Sequence, residues 1–225
     1  MGSPSGWKGP KILGSDTAVT THPPTAFRDP RPALAAAIDA WGGRDDLWVF
    51  GYASLIWRPE FESVEERPAT VYGWHRALAM RSRINRGTAE RPGLVFALVA
   101  GGCCRGRVYR VPAGDARREL ERLWDREMPT GVYDPKWLPV RTPLGTVRAL
   151  AFTLHRKSPA HTGDLPDEQM VEILRTARGK FGTTLAYLLE TADCLRACNI
   201  RDRDIERLVA LARRHALVTP QNVES

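Results

Sequence analysis

From Leu47 to Tyr52 the chain carries a short run dominated by apolar residues, Leu47, Trp48, Val49 and Phe50. Such a run is too brief for a typical helix and suits a buried strand. Further strands are expected near Ala69–Tyr72, Leu78–Arg83, Gly93–Leu98 and Gly106–Val111. Gly, Pro and Asn punctuate the gaps, as at Asn85–Arg86–Gly87 and Arg91–Pro92–Gly93. Leu138–Thr142 and Val147–His155 read as two more strands, with Pro143–Leu144–Gly145 as the turn between them. Elsewhere the apolar period is helical. Pro32–Trp41 is bounded by Pro30 and Pro32 before it and Gly42–Gly43 after it, which are helix start and stop signals. Ala116–Glu127 interrupts the strands with a second helix. Pro166–Arg178, Thr183–Cys198 and Arg201–Arg214 follow, the last with Ile205, Leu208, Val209 and Ala212 on one face. Strands first, with helices inserted and then gathered at the end, predict an α+β domain whose curved sheet closes into a small mixed barrel.

Composition refines this outline. The 225 residues, 43% of them hydrophobic, are enough for one sizeable core. Residues 1–29 are rich in Gly, Pro, Ser and Thr, without periodicity, and read as a flexible arm. Residues 30–218 are expected to form a single domain and 219–225 a tail. The formal charge is +7, but the basic residues are dispersed rather than in blocks. That pattern fits solubility and attraction for small anions better than a nucleic-acid partner. No secretory signal or apolar run of membrane-spanning length is visible, so a cytoplasmic protein with no membrane partner is expected, as a monomer or weak dimer. Cys103, Cys104, Cys194 and Cys198 show no zinc spacing and read as reduced thiols.

The absent motifs narrow the chemistry. There is no GxSxG elbow, GxGxxG, Walker loop or HExxH, and His22, His75, His155, His161 and His215 suggest no metal site. An enzyme with this inventory is expected to work without a protein nucleophile, metal or cofactor. Three places remain. The strand Leu47–Phe50 runs into Gly51, Tyr52, Ala53, Ser54, Leu55 and Ile56, a small-residue turn. Its backbone N–H groups suit an anion nest, or it is a plain tight turn. Glu127 follows Leu120, Leu123 and Trp124 at helical spacing, so it falls on the apolar stripe. It also sits at a helix C-terminus closed by Pro129, where the dipole disfavours a carboxylate. Burial and dipole together raise a carboxylate pKa toward that of a general base. The alternative is a frayed helix end with Glu127 paired to an arginine. Tyr187 lies off the stripe of Leu185, Leu188, Leu189 and Ala192, its hydroxyl free to reach a cleft or simply to pack.

Together these segments resemble a known family. Leu47–Trp57 is similar to the glycine-rich ligand loop of the ChaC-like γ-glutamylcyclotransferases. Arg86–Leu94, Trp124–Met128, Gly131–Tyr133, Trp137–Val140 and Ala186–Leu188 resemble further family segments in the same order. The resemblance spans about Asp46 to Ile205. It implies a γ-glutamylcyclotransferase-like barrel with flanking helices, a γ-glutamyl group bound by Gly51–Ile56, and Glu127 as acid/base. It implies release of 5-oxoproline and cysteinylglycine from glutathione. Other γ-glutamyl compounds as substrates, or a binding or regulatory module on the same fold, remain alternatives. One position departs from the family: Ala53 stands where glycine is usual. An alanine there is expected to have negative φ, since positive φ is sterically costly to it.

Overall fold

The computed structural model describes residues 28–218. The chain starts with helix α1 (Arg31–Trp41) and strand β1 (Leu47–Gly51), then the single helical turn α2 (Ser54–Trp57). Two long strands follow, β2 (Glu65–Ser82) and β3 (Gly93–Val111), and then helix α3 (Ala113–Glu127). The hairpin β4 (Asp134–Thr142) and β5 (Gly145–Thr153) precedes helix α4 (Asp167–Thr176). A minimal ribbon of β6 (Arg178–Gly179) and β7 (Gly182–Thr183) leads into α5 (Thr184–Ala197) and α6 (Arg203–Arg214).

The five long strands close into a barrel in the order β1-β3-β2-β4-β5, with a parallel Val49–Leu150 pairing between β5 and β1. The sheet is therefore mixed, as expected. The four strands read at 69–72, 78–83, 93–98 and 106–111 prove to be two. β2 and β3 pair antiparallel from Glu65–Arg110 to Ser82–Gly93 without interruption of the chain path. The gaps read after Tyr72 and after Leu98 both contain the register shift between Tyr72 and Trp74, where the pairing passes from Cys103 to Ala100; a second shift, between Leu78 and Met80, lies inside an expected strand. Gly73 takes φ +78° at the first of them, the left-handed backbone that a bulge requires and glycine supplies. Such bulges bend and twist a strand, which lets so long a hairpin wrap around a barrel.

Alternation along the strands separates two apolar clusters. Leu47, Val49, Leu150 and Phe152 pack with residues of α1 and α3. Phe50, Ala149, Ala151 and Val140 pack with residues of α4, α5 and α6. Sequence placed the helices within a few residues. α3 begins three residues earlier than expected, at Ala113, where the Asp46 carboxylate accepts a hydrogen bond from the first helical N–H at 2.9 Å.

The arm and tail expected at 1–29 and 219–225 lie outside the described residues, apart from Arg28 and Asp29. Arg28 is packed against the body. Its backbone N–H donates to Thr130 O at 3.2 Å, and its guanidinium donates to the carbonyls of Gly131, Val132 and Tyr133. Its Nη2 also pairs with Asp134 at 3.0 Å. No helix of the described residues is long and apolar enough to cross a membrane.

Candidate active site

A cavity of about 780 Å³ opens where the C-terminus of α3, the turn after β1, the end of β2 and the start of α5 converge. That is within the size range of small-molecule sites. Ser54, Glu127 and Tyr187, from three separate segments, all line it. The packing of α2 against α5 brings Ser54 beside Tyr187.

Glu127 owes its position to the residue three before it. The Trp124 ring packs edge-on against Phe152 with centroids 5.4 Å apart, and its indole N–H donates to Pro30 O at 3.0 Å. This fixes the last turn of α3 on the barrel, so that Glu127 turns toward the cavity with its side chain 14% exposed. Arg126 does pair with it, Nε to Oε1 at 3.0 Å, as the structural alternative required. Two effects then oppose. Burial raises the Glu127 pKa, and Arg126, through charge and hydrogen bond, lowers it; burial dominates and the pKa lies above the ordinary value of 4.5. Arg126 is shared with other acceptors, Glu60 at 3.0 Å and the carbonyls of Arg58 and Pro59, which dilutes its hold on Glu127.

Of the turn residues, Ser54 alone presents itself to the cavity lining. Gly51 ends β1, and a Cβ there would lie 3.1 Å from both Leu55 Cβ and the Tyr109 ring, a tight fit. Leu55 and Ile56 bury their side chains in the two apolar clusters. Ala53 has φ −143°, so its methyl meets no left-handed penalty, as expected. Tyr52 is buried, its hydroxyl donating to Phe152 O at 3.0 Å. The Tyr52 carbonyl is held by Nε of the buried Arg76. A trans peptide points its N–H opposite its C=O, so Arg76 also sets the direction of the Ala53 N–H. Arg76 further donates to Arg105 O at 2.6 Å and pairs with Asp202, which caps α6 through the N–H groups of Asp204 and Ile205.

Three tyrosines surround the carboxylate. Burial raises the phenol pKa of Tyr52, Tyr133 and Tyr187, and the Glu127 charge raises each further. They stay neutral donors near neutral pH. Tyr133, which donates to Phe96 O at 3.2 Å and lines the cavity, was not among the residues picked from sequence. Its ring lies beyond the helix, where periodicity carries no signal. Arg86 was missed as well. Its guanidinium sits 4.9 Å from the Tyr187 ring centroid and donates to Phe181 O at 2.6 Å. Glu190, one turn along α5 from Tyr187, lies 3.6 Å from its Nη2. The Trp57 indole N–H is buried without an acceptor among the described residues, and Trp57 also lines the cavity. Among the described residues, no Cys or His lines the cavity.

The chain is similar to known proteins in sequence and in fold. A family model described as "ChaC-like protein" matches residues 47–215. The glutathione-specific γ-glutamylcyclotransferase of Escherichia coli is 35% identical over 178 residues, covering 79% of this chain and 77% of that protein. The glutathione-specific γ-glutamylcyclotransferase 1 of Mus musculus is 32% identical over 206 residues, covering 88% and 91%. In fold, the chain is similar to the crystal structure of a γ-glutamyl cyclotransferase specific to glutathione from yeast, with TM-score 0.69 and 19% identity over 76% of this chain and 97% of that one. With the match running from β1 to the end of α6, the chain belongs to the ChaC-like family.

Proposed function

We propose that this chain is a glutathione-cleaving γ-glutamylcyclotransferase with Glu127 as its general acid/base. The observation that carries the reading is Glu127, a buried carboxylate of raised pKa on a cavity also lined by Ser54, Tyr133 and Tyr187 and, among the described residues, by no Cys or His. A γ-glutamyl amide brings its own nucleophile. The α-amine nitrogen attacks the δ-carbonyl carbon and closes a five-membered ring; the amide C–N bond breaks, giving 5-oxoproline and cysteinylglycine. A well-oriented intramolecular attack has an effective molarity of about 10⁵ M or more, so no protein nucleophile is needed. The barrier is protonation, because the α-amine is mostly ammonium near neutral pH. Glu127 accepts that proton and returns it to the departing amine.

The γ-glutamyl end lies against the Gly51–Ile56 turn at Ser54, the turn residue that lines the cavity. N–H groups at the start of a helical turn lack intrahelical acceptors and suit the α-carboxylate or the developing oxyanion. Tyr187 and Ser54 add hydroxyl donors from the wall. Glutathione is favoured over other γ-glutamyl compounds by the names of the relatives, which are called glutathione-specific. A cytoplasmic lyase acting without metal or cofactor fits this chemistry. Binding energy from the cysteinylglycine part orients the reacting atoms, so truncated substrates lose kcat as well as affinity.

The test is a panel of glutathione, γ-glutamyl-cysteine, γ-glutamyl-alanine and glutathione lacking the α-amine. Clear preference for glutathione and no turnover of the des-amino compound are expected. Equal turnover of the first three removes the glutathione assignment, and cleavage of the des-amino compound overturns the mechanism.

A further inference from the structure

Among the described residues five large apolar side chains are exposed: Val64, Tyr72, Ile84, Leu144 and Phe181. Two of them, Ile84 and Phe181, line the same cavity as Glu127. Phe181 is 48% exposed although its backbone is held on both sides. Its N–H donates to Asn85 O at 2.9 Å, and its carbonyl accepts from Arg86 Nη1 at 2.6 Å. One residue earlier, the Lys180 N–H donates to Ile84 O at 2.8 Å. Gly179 pairs with Gly182 across the β6–β7 ribbon, so Lys180 and Phe181 form its two-residue turn. A Cβ on Gly179 would lie 2.5 Å from both Gly87 N and Ile84 O, so the ribbon rests directly on the backbone of residues 84–87. Arg58 and Lys180 brace the ring, at 5.8 and 5.3 Å from its centroid. A fixed turn that presents an apolar ring to the open part of a cavity is suited to ligand contact. Covering the ring is favourable, and little conformational entropy is left to lose.

The cavity also has a direction. Tyr187 is buried and Glu127 nearly so, whereas Ile84 and Phe181 stand where the cavity meets solvent. Arg86 spans the two levels, with its guanidinium 4.9 Å from the Tyr187 ring centroid and its Nη1 on the Phe181 carbonyl. In a γ-glutamyl peptide, the amide that breaks joins the δ-carbonyl to the nitrogen of the next residue. With the α-amine at Glu127, that residue is the first group on the way out, and in glutathione it is cysteine. We propose that Phe181, with Ile84, packs against the cysteine side chain of the leaving cysteinylglycine. This inference rests on the cyclotransferase reading and adds to it a residue that sets specificity: the site favours a γ-glutamyl peptide whose second residue carries a small apolar or sulfur-bearing side chain. Sulfur is favourable beside an aromatic ring at about 5 Å, whereas a hydroxyl placed there gives up its water.

The experiment compares glutathione with γ-glutamyl-seryl-glycine and γ-glutamyl-glycyl-glycine, for the wild-type protein, Phe181→Ala and Phe181→Leu, following 5-oxoproline by mass. Melting temperatures establish that each variant is folded. Wild type is expected to prefer glutathione over either analogue by about tenfold or more in kcat/KM, the scale of one methylene-sized group in an apolar pocket. In Phe181→Ala both preferences fall toward unity. In Phe181→Leu, which keeps apolar area without the ring, the preference over the glycine peptide returns in part. A loss of stability alone would lower the use of all three substrates together and leave their ratios unmoved. Equal use of the three by wild type, or unchanged preferences in Phe181→Ala, overturns the contact while leaving the cyclotransferase intact. No 5-oxoproline from any of them in wild type overturns the underlying reading and the contact with it.

Discussion

Glu127 illustrates how one residue is set by opposing neighbours. Its pKa is raised because burial outweighs Arg126. The folded protein therefore holds this proton more tightly than the unfolded chain, so the carboxyl contributes stability below 4.5 that is lost as pH rises through its folded pKa. Glu127→Gln keeps the size and removes this pH-dependent cost. The variant is expected to melt no lower than wild type near neutral pH, and relatively higher as pH rises, while kcat falls by about 10²-fold or more. Since the base must be ionised in the free enzyme, kcat/KM of wild type should rise with pH along a limb centred above the ordinary carboxylate range. A limb centred at or below 4.5 would falsify the base assignment. At Ala53, φ of −143° removes any reason for glycine to bind substrate better. Ala53→Gly is expected to destabilise by about 0.5–1 kcal/mol through the freer unfolded chain, measured by denaturant unfolding, with no gain in KM. Ser54, Glu127 and Tyr187 were legible because each combines a polar group with an apolar segment. Arg86 and Tyr133 lie in segments that resemble the family but were not singled out as site residues, because segments distant in sequence bring them together only at the cavity.

Elements place these residues: α2 carries Ser54, α3 Glu127 and α5 Tyr187, around the barrel that the long β2–β3 hairpin largely builds. From sequence, β2 and β3 each looked like two strands, because a bulge interrupts alternation in the same way that a turn does. Only the pairing of Glu65 with Arg110 at one end and Ser82 with Gly93 at the other reveals continuity. The five longer helices, in contrast, were legible to within three residues at each end, since their period is local, whereas the single turn α2 was read as a small-residue turn. Arg76 on β2 joins three elements: the turn after β1, β3 through Arg105 O, and α6 through Asp202. Asp202→Asn preserves the N-cap, because asparagine caps as well as aspartate. It removes the charge opposite a buried guanidinium. We expect a loss of about 1–3 kcal/mol in unfolding free energy, the cost of a buried charge left with weaker partners, and a raised KM from a loosened turn. An unchanged KM together with lowered stability would show that the Arg76 anchor acts on folding alone.

At the level of the whole molecule, the closed barrel leaves one end to be capped by α2, α5 and the segment after α3, and the cavity lies there. The N-terminal boundary bears on it directly. Arg28 bonds the carbonyls of Gly131, Val132 and Tyr133, the stretch between Glu127 and β4. A chain beginning at Arg28 and one beginning at Pro30 should therefore differ: the shorter is expected to lose about 1–2 kcal/mol and part of its activity. Equal melting temperatures would show that Arg28 contributes nothing.

Product analysis after incubation with glutathione bears on all three scales at once. The protein should release 5-oxoproline and cysteinylglycine in equal amounts, and Glu127→Gln should release neither at a comparable rate. Free glutamate in place of 5-oxoproline would mean that water, not the substrate's own amine, is the nucleophile, and would contradict the mechanism built on Glu127.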